Sequence, residues 1–195
     1  MPEPDLSSLT TVAPDAFKSA FRHHASGVAI VTADAGDGPL ALTASSVTSV
    51  SAAPAILLFS VSSTTETGRA IARASTAVVH LLDADDHGLA LRCADPMADR
   101  FGDPRTWDRL AGGEPVFRGP RVVLRGEVVQ RLVFDEAVVM LLAVVEVIDR
   151  GPRASAARPL AYHDRRWHAL GQHSQLDTGS VGPSTAGDAG PSRRD

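Results

Sequence analysis

LTASSVTSVSAAPAILLFSVS, residues Leu42 to Ser62, is the stretch on which the reading of the fold turns. Thr43, Ser45, Ser46, Thr48, Ser49 and Ser51 crowd hydroxyls into a short run that breaks at Pro54, and the apolar Ile56 to Val61 follows. Small and β-branched residues of this kind read as a strand edge, and the apolar run after the proline reads as a buried strand. Hydroxyls at this density, with small residues between them, also offer what a phosphate needs: many donors and room for close approach. A Ser/Thr-rich strand facing solvent would have the same composition, so the segment alone leaves both readings open.

Working outward, the same strand-and-turn grammar recurs. Upstream, Phe17, Ala20, Phe21 and His24 stand at helical spacing behind Pro14, which predicts a short lead-in helix within Asp15 to Ala25. Val28 to Thr32, a turn over Asp34 to Gly38, and Leu40 to Thr43 read as a hairpin. Downstream, Glu66 to Ala74 reads as a helix, Ala77 to Leu82 as a strand and Asp85 to Cys93 as a second helix, its carboxylates placed at the positive end of the dipole. Asp95 to Pro120 is rich in glycine and proline but spaces Phe101, Trp107 and Phe117 along its length, which predicts a packed surface excursion able to act as a lid. Arg121 to Phe134 and Ala137 to Arg150 form a long hairpin. Its second arm is apolar on both faces and needs two coverings, the second expected from another copy of the chain in a homodimer. Leu160 to Leu170 closes as a strand pair around Asp164 and Arg165. Many short strands with few helices predict a mainly β protein, a barrel with peripheral α-helices. A flexible stretch over 1–12, one domain over 13–171 and a disordered tail over 172–195 complete the plan.

Composition narrows the function. A chain of 195 residues, 44% hydrophobic and 22% charged, is ordinary for one globular core, and its net charge of −4 gives no surplus for phosphate neutralisation along nucleic acid. No apolar stretch approaches the roughly 20 residues needed to span a bilayer, and MPEPDLSSLT has no basic region followed by an apolar one. A single cysteine, Cys93, cannot form an internal disulfide. These features predict a cytoplasmic protein that binds neither nucleic acid nor membrane.

The order GVAIVTA (Gly27 to Ala33), LTASSVTSVSAAPAILLFSVSSTT (Leu42 to Thr65), a helix, AVVHLL, a long hairpin and a closing LAYHDRRWHAL resembles the flavin reductase-like family over roughly Phe17 to Leu170. The resemblance implies a six-stranded Greek-key split β-barrel that binds FMN or FAD. It also implies an NADH- or NADPH-dependent flavin reductase that supplies reduced flavin to a flavin-dependent monooxygenase. By position it places Gly27, Thr43, Ala44, Ser45 and Ser46 around the flavin ring and ribityl chain, with Ser49, Val50 and Ser51 close by. Ser63 and Thr64 then meet the phosphate or the adenosine half, and the cofactor groove lies beside the subunit contact.

The chain departs from the family pattern at the tip of the long hairpin. Gly-Asp-His is common there in the family, whereas this chain reads Asp135, Glu136, Ala137, and Leu142 stands where a glycine is usual. The nicotinamide pocket is therefore sought among Glu136, Ala137, Tyr162, His163 and Trp167, with His163, His168 or His80 in place of the missing imidazole. Because no side chain need exchange a proton in hydride transfer, no catalytic acid or base is assigned. Two other readings stay open: an oxidase or monooxygenase holding flavin as a prosthetic group, and a non-enzymatic flavin-binding module. No metal site is expected, because His163, His168 and His173, spaced by five, alternate faces in a strand and diverge around a helix. No GxSxG, GxxxxGK[ST] or GxGxxG motif is present.

Overall fold

The computed structural model describes residues 10–151 and 158–176. Its elements run α1 (Pro14–Phe21), β1 (Ser26–Gly27), β2 (Ala29–Asp34), β3 (Pro39–Ala44), β4 (Thr48–Ala52), β5 (Ala55–Ser62), α2 (Glu66–Arg73) and β6 (Thr76–Leu81). There follow α3 (His87–Ala94), β7 (Trp107–Arg109), β8 (Pro115–Phe117), β9 (Val122–Val133), β10 (Ala137–Asp149), β11 (Leu160–His163) and β12 (Arg166–Ala169). The fold is mainly β with peripheral helices, as the pattern predicts. Its large antiparallel sheet has seven strands, in the order β3-β2-β6-β9-β10-β5-β4, the hydroxyl-rich segment supplying the seventh as an edge. A three-stranded sheet β1-β11-β12 and the pair β7-β8 stand beside it.

Chain connectivity bends this sheet. β3 and β4 occupy its opposite edges yet are joined only by residues 45–47. Seven strands laid flat would hold those edges about 29 Å apart, at ~4.8 Å per spacing. The chain from Ala44 to Thr48 reaches at most about 14 Å. The sheet therefore curls until its edges approach, and one core forms inside it. Ala29, Val31 and Ala33 of β2, Ala44 of β3, Leu57, Phe59 and Val61 of β5, and Val138, Met140 and Leu142 of β10 share that core with Ile71 of α2.

α2 seals the curl. Thr65 caps it by accepting the Gly68 N–H (3.1 Å), and Glu66 stands in its first turn at the positive end of the dipole. Gly68 is required there, because a Cβ would collide with the Ser62 carbonyl oxygen. Leu142, where the resemblance implies glycine, is fully buried, and the small residue is instead Gly126, where a Cβ would stand 3.0 Å from that of Leu142.

A second core lies on the outer side of β2, where Val28, Ile30, Ala41, Ala90, Cys93 and Phe117 pack together. The excursion over Asp95 to Pro120 forms this layer. Phe101 stacks on Phe117 (5.2 Å between centroids) and meets Trp107 edge-on, while Thr32 donates its hydroxyl to the Pro115 carbonyl. Arg109 pairs with Asp34 at 2.8 Å. Burial would raise the Asp34 carboxyl, but the Gly36 N–H, Arg109 and the Gly38 N–H outweigh it and hold the group below its ordinary range. The excursion is thus built wall and not the lid that its glycine content suggests.

Two helix boundaries differ from the sequence reading. The lead-in helix ends at Phe21, and Asp85 to Cys93 divides into a 3-10 turn over Ala84–Asp86 and then α3. The arm Ala137 to Arg150 is buried on one face, through Val138, Met140 and Leu142, whereas Val145 and Val147 remain exposed in the single chain. Residues 172–176, expected in the tail, include a 3-10 turn at Gln172–Ser174, and 1–9 and 177–195 lie outside the described residues.

His80 pins the wall to the sheet. Its Nε2 accepts the Phe117 N–H (3.0 Å), so Nδ1 carries the proton and donates to the Ile30 carbonyl (3.1 Å). Burial, reinforced by the Arg150 charge and opposed by the Ile30 hydrogen bond, pushes its pKa down to about 4. An unfolded imidazole takes its proton near pH 6.5, so the unfolded chain binds more protons between pH 6.5 and 4. Urea unfolding across that window is expected to show stability falling by about 3 kcal/mol on acidification. His80→Leu is expected to flatten that slope and to be less stable at neutral pH, since it orphans the Phe117 N–H and the Ile30 carbonyl. A slope unchanged by the substitution would contradict the assignment.

Candidate active site

The curl leaves a seam, and a cavity of about 820 Å3 opens there. That volume falls within the range of small-molecule sites. One wall is the link Ser45, Ser46, Val47 and the first residue of β4, Thr48. The opposite walls are α1, through Phe17, Lys18, Phe21 and Arg22, the strand β1 with Ser26 and Gly27, and the β11–β12 turn with Tyr162, His163, Asp164 and Arg165.

Local structure explains each wall. α1 has no buried residue, and Phe17 and Phe21 pack on each other (4.7 Å between centroids) beside the cavity while staying 53% and 58% exposed. Asp164 and Arg165 form the two-residue connection between β11 and β12, with φ of 45° and 62°. Positive φ at both central positions suits the twist of a tight hairpin. The Asp164 N–H donates to the Arg22 carbonyl (3.2 Å), which docks this turn against the end of α1. At Gly27 nothing stands within 4 Å of where a Cβ would be, so the floor is open.

The hydroxyls divide into structural and available ones. The Ser46 hydroxyl accepts the Ser60 N–H (3.0 Å) and donates to the Ser60 carbonyl (3.2 Å), standing in for a strand partner at the seam. Thr43 donates to the Ala90 carbonyl (2.6 Å), and the Ala44 side chain lies in the core. Ser45 and Thr48 are exposed on the cavity. Ser49, Val50 and Ser51 run on along β4 past a bulge and do not line it. Ser63 and Thr64 sit at the β5–α2 turn, where Ser63 donates to the Asp135 carbonyl (2.8 Å) and its N–H bonds the Glu136 carbonyl (3.0 Å). Glu136 and Ala137 therefore form a second group with Ser63 and Thr64. Ala137 is paired with Ser62, two residues along β5 from Ser60, or about 7 Å from the seam.

Of the histidines considered for the nicotinamide, His163 lines the cavity, His80 is buried in the outer layer, and His168 lies off the cavity with its ring 6.0 Å from that of His163. Tyr162 reaches the cavity, and Trp167 supports it edge-on from behind (5.1 Å), packed in the second core. Among the described residues no group of three or more His, Cys, Asp or Glu is placed to hold a metal. No helix among them is long and apolar enough to cross a membrane. Sequence reasoning missed α1, Ser26 and the Asp164–Arg165 turn as site elements. The readable signal was Lys18 on the helix that also carries Phe17 and Phe21, with Arg22 four residues on at its C-cap.

Exposed aromatic walls, free hydroxyls and a cationic rim at the seam of a curled sheet suit a flat, anionic small molecule of the nucleotide kind. The chain belongs to the flavin reductase-like family: residues 21–171 match the flavin reductase like domain. It is 34% identical over 165 residues to the NADH:FMN oxidoreductase of Rhodococcus qingshengii, covering 85% of each chain. It is 32% identical over 151 residues to the reductase component of a 4-nitrophenol 4-monooxygenase/4-nitrocatechol 2-monooxygenase of Rhodococcus opacus, covering 77% of this chain and 78% of that one. Among solved structures, a flavin reductase domain protein from Arthrobacter sp. FB24 superposes with a TM-score of 0.75 at 32% identity, covering 85% of this chain and 99% of that one.

The two adjacent serines are expected to separate cleanly on mutation. Ser46→Ala leaves both backbone groups of Ser60 without their hydroxyl partner and should lower unfolding stability by roughly 1–3 kcal/mol. Ser45→Ala removes an exposed hydroxyl and should leave stability within about 0.5 kcal/mol of wild type. Thermal and urea denaturation of the two single variants measure this, and equal losses would refute the division.

Proposed function

We propose that this chain is an NADH-dependent FMN reductase that delivers reduced flavin to a partner monooxygenase. The observation that carries the reading is the seam cavity itself: aromatic side chains, unengaged hydroxyls and cations meet around a floor that Gly27 leaves open. Relatives similar over most of the chain carry the corresponding names, one of them as the reductase half of a monooxygenase. Bound flavin supplies a ring that accepts a hydride from reduced nicotinamide, a step that needs placement more than proton transfer. The protein's own groups supply the placement. Phe17, Phe21 and Tyr162 offer flat apolar faces, Ser45 and Thr48 offer donors at the wall, and His163, like His24, brings an imidazole to the cavity where the hairpin tip has none. Ser63 and Thr64, with Glu136 and Ala137, border the far end of the seam, where an extended ligand would run. Thr43, Ala44, Ser46 and Trp167 shape the site from behind.

The same reading includes a homodimer. Val129, Val133, Val145 and Val147 on β9 and β10 are each at least half exposed in the single chain, and Phe134 is 44% exposed at the hairpin tip. Apolar side chains on that scale along one hairpin call for a second copy to cover them. The reading also includes a cytoplasmic setting, in keeping with a chain whose one cysteine, Cys93, is a free and buried thiol.

Anaerobic addition of NADH to the protein with FMN is expected to bleach the flavin absorption bands, and buffer without protein should bleach them far more slowly. Flavin bound but left oxidised by NADH would reject the reductase reading. Light scattering at micromolar concentration is expected to give twice the 20.4 kDa chain mass, and a monomer there would reject the dimer.

A further inference from the structure

Three cations at the cavity mouth have no counterpart in the interactions that hold the fold. Lys18, Arg22 and Arg165 all line the cavity, and none forms an ion pair among the described residues. Elsewhere many arginines serve the fold, by ion pairs as in Arg125 with Glu114, Arg109 with Asp34, Arg158 with Asp85 and Arg118 with Asp108, or by bonds to backbone carbonyls as in Arg100 and Arg131. The mouth carries one carboxylate, Asp164, against those three, in a chain whose net charge is −4. Such a local excess runs against the protein's own balance.

Two features of backbone and helix gather charge at this mouth. Lys18 in the last turn of α1 and Arg22 at its C-cap stand four residues apart, where the helix dipole favours each cation although the two repel one another. This helix has no buried residue, so its polar end is left to the cavity. Arg165 holds φ of 62°, a conformation that glycine or asparagine adopts with less strain than arginine does. The docking of the Asp164 N–H on the Arg22 carbonyl brings that strained turn and the end of the helix together, so both sets of charge face one opening.

We propose that Lys18, Arg22 and Arg165 form a phosphate subsite that takes the phosphoryl groups of a nucleotide whose ring lies in the cavity, with Ser45 and Thr48 as neighbouring donors. This rests on the flavin reductase reading and names the anion chemistry of the same site. Guanidinium groups suit the charge and planar oxygen pairs of a phosphoryl group. The Ser63 hydroxyl, the other candidate donor, already gives its proton to the Asp135 carbonyl. The phosphoryl groups can come from FMN or from the pyrophosphate of the nicotinamide dinucleotide.

Arg22→Gln, Lys18→Gln and Arg165→Gly, made in the full chain, separate these sources. Dissociation constants for riboflavin and FMN are read by fluorescence, and the KM for NADH by flavin reduction. If FMN supplies the phosphate, its dissociation constant rises about ten- to hundredfold in Arg22→Gln while that of riboflavin does not move. If the dinucleotide supplies it, the NADH KM rises by a similar factor, well beyond any change in kcat, and FMN binding holds. In either case Arg165→Gly is expected to melt a few degrees higher than wild type while binding the phosphorylated ligand more weakly. A merely structural arginine would not give that opposition. The proposal is overturned if riboflavin weakens as much as FMN, or if all three ligands behave as in wild type in every variant. Wild-type protein that binds FMN but is not reduced by NADH would instead sink the reductase reading, leaving the comparison of riboflavin with FMN to decide the subsite.

Discussion

Everything in this fold depends on the reach of three residues. Ser45, Ser46 and Val47 connect strands at opposite edges of a seven-stranded sheet, and a link that short cannot cross a flat one. Curling is thus imposed by covalent geometry before any side chain is considered. Side chains decide only whether the curled sheet can be filled, and here they fill it: Phe59, Met140, Leu142 and Ile71 are fully buried inside. Where the two edges meet, backbone pairing is incomplete, and Ser46 supplies by hydroxyl what a neighbouring strand would have supplied by backbone.

A seam is also where a binding site is least expensive to build. A cavity in the closed part of the sheet would remove packed apolar contacts, whereas at the seam the contacts were never made. The site consequently recruits elements with few obligations to the core. α1 has no buried residue, β1 is two residues long, and the β11–β12 turn is a surface connection. The outer layer over Asp95 to Pro120, pinned by His80 and Arg109, backs the other face of β2 while these lighter elements surround the cavity.

How much of this was legible in the sequence follows from which interactions are local. Strands and hairpins were readable because period-two apolar runs and turn residues act within a few positions, and even the tight turn at Asp164 and Arg165 could be placed. The hydroxyl-rich segment was readable as a candidate because donor density is a property of composition, and Ser45, Ser46 and Thr48 do line the seam cavity. The division of its hydroxyls was not: Thr43 bonds a carbonyl 47 residues away and Ser46 one 14 residues away, so which of them stay free is settled by tertiary pairing. The excursion was readable in part: Phe101, Trp107 and Phe117 announced that it would pack, while the surface they pack on, the outer side of β2, is settled by tertiary contacts.

The missing hairpin histidine acquires a physical meaning from the geometry. Ala137 pairs with Ser62 about 7 Å along β5 from the seam, close enough for a side chain there to reach a ligand extended from the cavity. Without an imidazole at that end, the charged and aromatic groups able to orient a second ring are concentrated at the other, on α1 and the β11–β12 turn, where His163, Arg22 and Arg165 stand. The long hairpin is fixed by two ladders, whereas the end of α1 and the β11–β12 turn are tied by a backbone hydrogen bond of 3.2 Å. Elements held that lightly are the ones whose position a bound anion can set, because one charge-assisted contact is comparable in strength to what otherwise holds them.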